Sequence, residues 1–250
     1  MDITFSHTPQ LFGCFHILSL LAIALFNTLF FLWAKKKNED KLLHLLQNLG
    51  LFMILTEIFK QYFCYIYVFK RKLNLWFFPW QLCSMAMYCS FLCPLLKKEK
   101  TQNAFLVFLS SFSLMSTIAA LILPMDMLRD QILLTIHSFV YHGLILSCSL
   151  TSYLILKKRK NISFLPSIYL FLFMAAIAEI INVSAHLLLN DIYIEPNMFY
   201  ITLSYPSTQP VFHEIALRFS IPFEILVYLL TIILFSYLLF QLEKHFLFKS

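Results

Sequence analysis

The sequence has few charges and very little glycine. Of its 250 residues, 13% are Asp, Glu, Lys or Arg, and only three are glycine. A soluble domain is about one quarter charged, so this composition excludes an ordinary soluble enzyme. The three glycines are far apart in the sequence, which excludes the glycine-rich loops that hold phosphate groups in nucleotide-binding proteins.

Several other signals are absent. None of the six cysteines forms a Cys-x-x-Cys pair, and the chain has no internal repeat, linker or low-complexity tract. The sequence therefore predicts a single domain over residues 1–250 with no metal site and no cofactor. Its net charge of +6 comes from short basic loops that suit anionic lipid headgroups, so no nucleic-acid partner is predicted. The oligomeric state is left open.

The sequence does contain long apolar runs. Hydrophobic residues make up 60% of the chain and aromatic residues 17%. A membrane-spanning helix needs about 20 consecutive, mainly apolar residues, and seven stretches reach that length. We therefore predict an all-α, polytopic membrane helical bundle with about seven transmembrane helices. The stretches are 11–34, 43–69, 75–96, 102–124, 131–156, 163–188 and 219–243.

The basic residues predict how the bundle is oriented. Cytoplasmic loops carry an excess of Lys and Arg, and four basic groups fall on the same side of the seven stretches. That side is predicted to be inside, which places the N-terminus outside and the C-terminus inside a multi-pass protein of the cell membrane. The basic residues at 70–72 lie on the other side and are an exception. The four groups are Lys35, Lys36, Lys37 and Lys41; Lys97, Lys98 and Lys100; Lys157, Lys158, Arg159 and Lys160; Lys244 and Lys249.

Polar residues recur at helical spacing within these stretches. An ionisable side chain at the middle of a membrane helix costs about 2.5–3.5 kcal/mol, so such groups usually pair or face a shared cavity. Glu57 and Lys60 are three residues apart and can neutralise each other, while Glu179, Asn182 and His186 form one stripe. The spacing predicts a polar pocket inside the bundle. Its candidate lining residues are Glu57, Lys60, Gln81, Ser138, Glu179, Asn182, His186 and Asn197.

Cys83 differs from the other cysteines in its neighbours. It follows Pro79, which favours the first turn of a helix, and the positive end of a helix favours a thiolate. His142 lies at a similar estimated depth, roughly 10–18 Å below the outer surface, and is the best candidate for a base. We therefore predict Cys83 and His142 as catalytic nucleophile and base, with Asn182 or Glu179 orienting the imidazole or stabilising developing charge.

Each of these interpretations has a structural alternative. Membrane cysteines are commonly inert packing residues, and Glu57 with Lys60 fits a purely structural ion pair. Cys14 and Cys64 both lie toward the outer side and are compatible with a disulfide. The external loop at about 189–218 is rich in proline and aromatic residues and fits either a lid over the bundle or a plain connector.

Three short motifs resemble those of a known family. They are FPWQLCSMAMY around Cys83, HSFVYHGLIL around His142, and INVSAHLLLN followed by NMFYITLSYP. Together they resemble the YwaF-type integral membrane proteins of Gram-positive bacteria and, through these, the eukaryotic transmembrane protein 164 family. The resemblance implies an acyltransferase that moves a fatty acyl chain between membrane phospholipids or lysolipids, with Cys83 as nucleophile and His142 as base. The eukaryotic proteins have Asn-Pro-Cys-His at the cysteine, whereas here Pro79 is four residues before it and Ser84 follows.

Two other classes of function fit the same hydropathy. An outward-facing polar pocket also suits a membrane transporter or its substrate-binding component, although inverted repeats and pairs of broken helices are missing. A non-catalytic scaffold needs only polar residues that hold helices together. A retinal protein is excluded, because the stretch 219–243 has no lysine for a Schiff base. An acyltransferase acting on membrane lipids is the first prediction, with the transporter and the scaffold as alternatives.

Overall fold

The computed structural model describes residues 4–72, 74–188 and 196–248. Within these ranges the fold is helical, apart from loops and an isolated bridge between Thr4 and Gln131. Short 3₁₀ turns lie between some of the helices. The helices are α1 (Cys14–Ala34), α2 (Glu39–Val68), α3 (Leu82–Leu95), α4 (Glu99–Ile122), α5 (Ile132–Leu156), α6 (Leu165–Leu188), α7 (Pro210–Arg218) and α8 (Ile221–Phe248).

The prediction of an all-α membrane bundle is confirmed. Six helices in the described part of the chain are long and apolar enough to cross a membrane, and they lie close to six of the predicted stretches. The prediction for 75–96 is wrong in its extent, because α3 begins only at Leu82. The predicted loop 189–218 contains α7, and its residues 189–195 lie outside the described residues. Which membrane face each end of the bundle meets stays a prediction.

Pro79 explains the late start of α3. Proline lacks an N–H group and disfavours helical geometry in the residue before it, so the chain is irregular from Phe78 to Gln81. Irregular backbone at membrane depth needs hydrogen-bond partners inside the protein. Two side chains supply them: Gln61 donates to the Phe77 carbonyl, and the Tyr88 hydroxyl donates to the Pro79 carbonyl at 3.1 Å.

Helices α4 and α5 form the centre of the bundle. Both are more buried than the other long helices, and α5 packs against α1, α2 and α4. The core contains a run of stacked aromatic rings. The ring centroid of Phe112 in α4 lies 5.0 Å from that of Phe171 in α6 and 5.3 Å from that of Phe108. Residues Phe108–Ser113 form a π-helical turn within α4. Such turns are rare and often occur at functional sites.

The basic groups, as far as their residues are described, gather at one end of the bundle, which we call the basic end. It contains the connections 35–38, 96–98 and 157–164, because short connections make successive helices antiparallel. The other end, where α2 finishes and α5 begins, is called the opposite end.

Arg159 ties three helices together at the basic end. Its Nε and Nη2 atoms donate to Glu39 Oε1 at 2.8 and 2.7 Å. The same guanidinium also donates to Asn103 Oδ1 and to Gln102 Oε1, each at 2.8 Å. The guanidinium has several N–H donors that point in different directions, so it can reach acceptors on different helices at once. One side chain therefore joins the ends of α2, α4 and α5.

Gly50 lies where α2 closely approaches α3. A Cβ atom added to it would be 2.5 Å from the Phe91 nitrogen and 3.0 Å from the Met87 carbonyl oxygen. Both are backbone atoms that cannot rotate away, so we predict that Gly50→Ala destabilises the protein by about 1–3 kcal/mol, seen as a lower midpoint of thermal unfolding in detergent. Gly143→Ala is the matched control, since its Cβ would contact only the Ile23 side chain, at 3.4 Å. Equal losses in the two variants would contradict the prediction.

Candidate active site near the start of α3

Helix α3 begins inside the bundle. Residues 82–95 span about 21 Å at a rise of 1.5 Å per residue, whereas the hydrocarbon core of a bilayer is about 30 Å thick. Since α3 finishes at the basic end, its first residue lies roughly 9 Å below the other edge of the hydrocarbon core. Gln81 is the N-cap residue and Cys83 is the second helical residue. Cys83 therefore lies in the first turn of α3, which begins at Leu82, seven residues later than the predicted stretch 75–96.

Hydroxyl groups lie around the Cys83 thiol. The side chain is half-buried at the edge of the apolar core, and the Ser116 hydroxyl of α4 lies beside the sulfur. Three tyrosines lie within electrostatic range of the sulfur, namely Tyr141 of α5, Tyr200, and Tyr228 of α8. Hydroxyl groups are hydrogen-bond donors as well as acceptors. The thiol therefore has at least one hydroxyl partner at the edge of an otherwise apolar core.

The segment 196–202 enters the bundle beside Cys83. Its Phe199 is fully buried. The Gln81 amide holds the segment through two hydrogen bonds: Nε2 donates to the Asn197 carbonyl at 3.0 Å, and Oε1 accepts from the Phe199 N–H at 2.9 Å. Backbone polar groups within a membrane require such partners when they are outside regular helices. Gln81 therefore joins two irregular segments next to the thiol.

Asn182 of α6 fixes the same segment. Its Nδ2 donates to the Met198 carbonyl at 3.2 Å, and its Oδ1 accepts from the Met198 N–H at 2.7 Å. Its Nδ2 also donates to Glu179 Oε2 at 3.1 Å, so both amide hydrogens of Asn182 are used. Asn197 differs, because its Oδ1 accepts from the Thr202 N–H at 3.1 Å while its buried Nδ2 has no hydrogen-bond partner in the described part of the chain. The Asn197 amide thus has a donor to spare.

The segment 196–202 has an unusual backbone. Phe199 and Tyr200 both have φ of 59°, in the left-handed region that side chains other than glycine rarely adopt. The Tyr200 hydroxyl donates to Asp126 Oδ2 at 2.7 Å. Burial, and then the Asp126 carboxylate, raise the pKa of Tyr200 well above its usual value, so the phenol stays protonated as a donor. Residues 196–202 of the predicted external loop are therefore packed against the bundle, while Leu203, Val211 and Leu217 of the same loop are exposed.

An ion pair lies on α2 toward the opposite end. Lys60 Nζ is 2.7 Å from Glu57 Oε1, and Gln61 Nε2 donates to the same oxygen at 2.7 Å. Only 5% of the Glu57 side chain is exposed, so the two donors compensate a carboxylate that is almost completely buried. The predicted pairing of Glu57 with Lys60 is confirmed. Through its bond to the Phe77 carbonyl, Gln61 connects the pair to the segment that precedes α3.

Two histidines of α5, His137 and His142, lie within electrostatic range of Lys60. His142 Nδ1 is 2.8 Å from the Ser138 carbonyl oxygen. Because a carbonyl only accepts, Nδ1 carries the hydrogen, and the neutral ring has its lone pair on Nε2, where it can accept a proton. Among the described residues His142 and Cys83 share no hydrogen bond. In enzymes without bound substrate, catalytic hydrogen bonds are often long or poorly aligned and tighten when substrate binds.

Comparison with known proteins identifies the family. The chain matches the sequence model of the TMEM164 family over residues 5–241, which is nearly its whole length. The chain belongs to the TMEM164 family. This membership confirms the predicted resemblance to the transmembrane protein 164 family and agrees with the six apolar helices of a multi-pass membrane protein. No curated protein and no solved structure matches the chain.

Other predicted residues of this TMEM164-family chain have different surroundings. The Ser138 hydroxyl donates to the Leu134 carbonyl of its own helix at 2.9 Å, and His186 is exposed near the end of α6. Cys14 and Cys64 are both free thiols, so the disulfide that the sequence allowed is not formed. Within the described ranges, no group of three or more His, Cys, Asp or Glu residues is arranged to hold a metal ion.

Four hydroxyl-bearing residues that interact with the thiol of this TMEM164-family chain were not predicted, namely Ser116, Tyr141, Tyr200 and Tyr228. Ser116 and Tyr228 come from α4 and α8, and neither belongs to a recognisable motif. Tyr141 and Tyr200 lie within the motifs that the sequence offers, since Tyr141 precedes His142 and Tyr200 is the last residue of NMFY. Reading those motifs for hydroxyl groups as well as for ionisable groups would have found both tyrosines.

Proposed function

We propose that this chain is an acyltransferase of the cell membrane that moves a fatty acyl group from a phospholipid to a lysolipid through a thioester on Cys83. The observation that carries the proposal is the position of this thiol. It lies at the first turn of a helix, roughly 9 Å below the edge of the hydrocarbon core, beside the Ser116 hydroxyl and the packed segment 196–202. The ester groups of phospholipids lie at the edge of that core, so a lipid that sinks into the bundle by about 9 Å brings its carbonyl to the sulfur.

In the first half-reaction Cys83 gives its proton to Nε2 of His142 and the thiolate attacks the ester carbonyl carbon. The positive end of α3 and the spare Nδ2 donor of Asn197 stabilise the oxyanion that forms. The carbon–oxygen ester bond then breaks, and the departing oxygen takes the proton from the His142 imidazolium. A lysolipid leaves, and the acyl group stays on Cys83 as a thioester.

In the second half-reaction a hydroxyl group of the acceptor lysolipid gives its proton to His142 and attacks the thioester carbonyl. The carbon–sulfur bond breaks, the acyl group passes to the new oxygen, and the departing sulfur takes the proton back from the His142 imidazolium, which restores the Cys83 thiol and the neutral imidazole. Asn182 has no donor left for the oxyanion, because its amide holds Met198 and Glu179. In this mechanism Asn182 positions the segment that carries Asn197.

A pulse-chase experiment tests the proposal. Purified protein in vesicles is incubated with a phospholipid whose acyl chain carries an alkyne, without any acceptor. We expect a protein-bound label that hydroxylamine removes, because hydroxylamine cleaves thioesters. Addition of excess lysophospholipid should then transfer the label from the protein to diacyl lipid. In His142→Gln the rate of label formation should fall by at least about 10²-fold, which is the usual loss when a general base is removed.

The outcomes separate the three classes of function. A label that resists hydroxylamine, or that persists after lysophospholipid is added, would contradict the thioester mechanism. A protein that binds the labelled lipid without any covalent label would be a transporter, a binding component or a scaffold.

A further inference from the structure

A groove lies on the membrane-facing side of the bundle between α6 and α8. Its volume is about 700 Å³, within the range of small-molecule binding sites. Most of its lining is apolar and includes Leu165, Leu230 and Leu234, each more than half exposed. Gln241 and Lys244 are its polar residues toward the end of α8. The groove is therefore apolar along its length and polar at the basic end.

The dimensions of the groove match one leaflet of a bilayer. From Leu230 to Lys244, α8 rises by about 21 Å, and half of a hydrocarbon core is about 15 Å thick. Since α8 finishes at the basic end, Lys244 lies at the level of the headgroups when Leu230 lies near the middle of the membrane. A single acyl chain fits an apolar channel of this length, with its headgroup beside the lysine.

The charges around the groove indicate which headgroup it takes. Lys244 lines the groove, and the connection that leads into it from α5 carries exposed Lys157, Lys158 and Lys160. Basic side chains at a membrane surface attract anionic lipids, and the attraction adds up over neighbouring lysines. The predicted orientation also places this end at the cytoplasmic leaflet, where anionic lipids are concentrated.

We propose that an anionic phospholipid of the leaflet at the basic end binds in this groove, with one acyl chain along α8 and its phosphate next to Lys244. This site is separate from Cys83, which lies in the half of the bundle toward the opposite end. The bound lipid is a resident ligand and not a substrate, so the proposal does not rest on acyl transfer.

The test measures which lipids stay bound to the full-length protein. Protein in mild detergent is incubated with equal amounts of phosphatidylglycerol and phosphatidylcholine with identical chains, and native mass spectrometry counts the retained lipids. We expect the wild type to retain at least about fivefold more phosphatidylglycerol, the preference expected from one well-placed lysine. Leu234→Trp, which fills the groove, should lose most of the retained phosphatidylglycerol.

Matched variants separate the groove from the general surface. Phe235→Trp places an indole ring, as Leu234→Trp does, at the next position, which is exposed and does not line the groove. This variant should retain lipid as the wild type does. Lys244→Gln should lower the preference for phosphatidylglycerol, whereas Lys36→Gln at the end of α1 should leave it unchanged. Equal retention of the two lipids by the wild type, or equal retention by Leu234→Trp and Phe235→Trp, would overturn the proposal. Cys83→Ala should retain the lipid, so a failure of acyl transfer leaves this result unchanged.

Discussion

Replacing Cys83 with alanine is expected to abolish the hydroxylamine-sensitive acyl label and to lower acyl transfer at least about 10³-fold, because alanine has no nucleophile to carry the thioester. The fold should persist, since the half-buried side chain loses only its sulfur atom. In-gel detection of the alkyne measures the label, and mass spectrometry of the extracted lipids measures the transferred chain. Thermal unfolding of the same preparation shows whether the variant is folded.

Two other cysteines serve as controls for this result. Cys89 lies on α3 as well and is fully buried, so Cys89→Ala removes a sulfur from the same helix without changing the site. Cys14 is exposed, so Cys14→Ala removes the thiol that is most open to non-specific acylation. Both variants should keep the label. If Cys14→Ala loses the label and Cys83→Ala keeps it, the nucleophile assignment is wrong.

Local spacing was enough to predict some contacts of the site. Glu57 and Lys60 are one helical turn apart, and their ion pair forms as the sequence predicts. Glu179 and Asn182 have the same spacing, and they share a hydrogen bond of 3.1 Å. Neighbours three residues apart on a helix face the same direction wherever the helix lies in the bundle. Such contacts need no knowledge of tertiary structure.

The extent of α3 was predicted wrongly for a local reason. The stretch 75–96 is apolar throughout, and hydropathy alone does not distinguish a helix from an irregular segment. Pro79 and the polar Gln81 were the available signals for a later helix start. Once the helix begins at Leu82, the preceding backbone requires partners, and Gln61 and Tyr88 provide them.

The position of the segment 196–202 could not be predicted from the sequence. It depends on hydrogen bonds between Gln81 and Asn197 or Phe199, which are 116 and 118 residues apart. No local pattern specifies pairs at such separations. The same applies to Ser116 and Tyr228, whose proximity to Cys83 depends on how α3, α4 and α8 pack. Helix positions are thus a property of local sequence, while the surroundings of the thiol are a property of the packed bundle.

Replacing Lys60 with methionine is expected to destabilise the protein by about 3–5 kcal/mol, because the carboxylate of Glu57 then stays buried without its cation. The two groups are 2.7 Å apart, and the side chains are only 17% and 5% exposed. For a chain of this size the midpoint of thermal unfolding should fall by roughly 6–12 °C or more. Arg218→Met is the matched control, since its partner Glu214 is 3.7 Å away and both side chains are mostly exposed, so its midpoint should hardly change.

The double variant Glu57→Gln with Lys60→Met distinguishes a buried charge from lost packing. Replacing a buried ion pair by neutral groups of similar size is often close to neutral, so most of the lost stability should return. Glutamine at position 57 also keeps an oxygen that can accept from Gln61, whose amide connects α2 to the segment before α3. A double variant as unstable as Lys60→Met alone would mean that the lysine stabilises the bundle through its hydrocarbon stem and not by compensating Glu57.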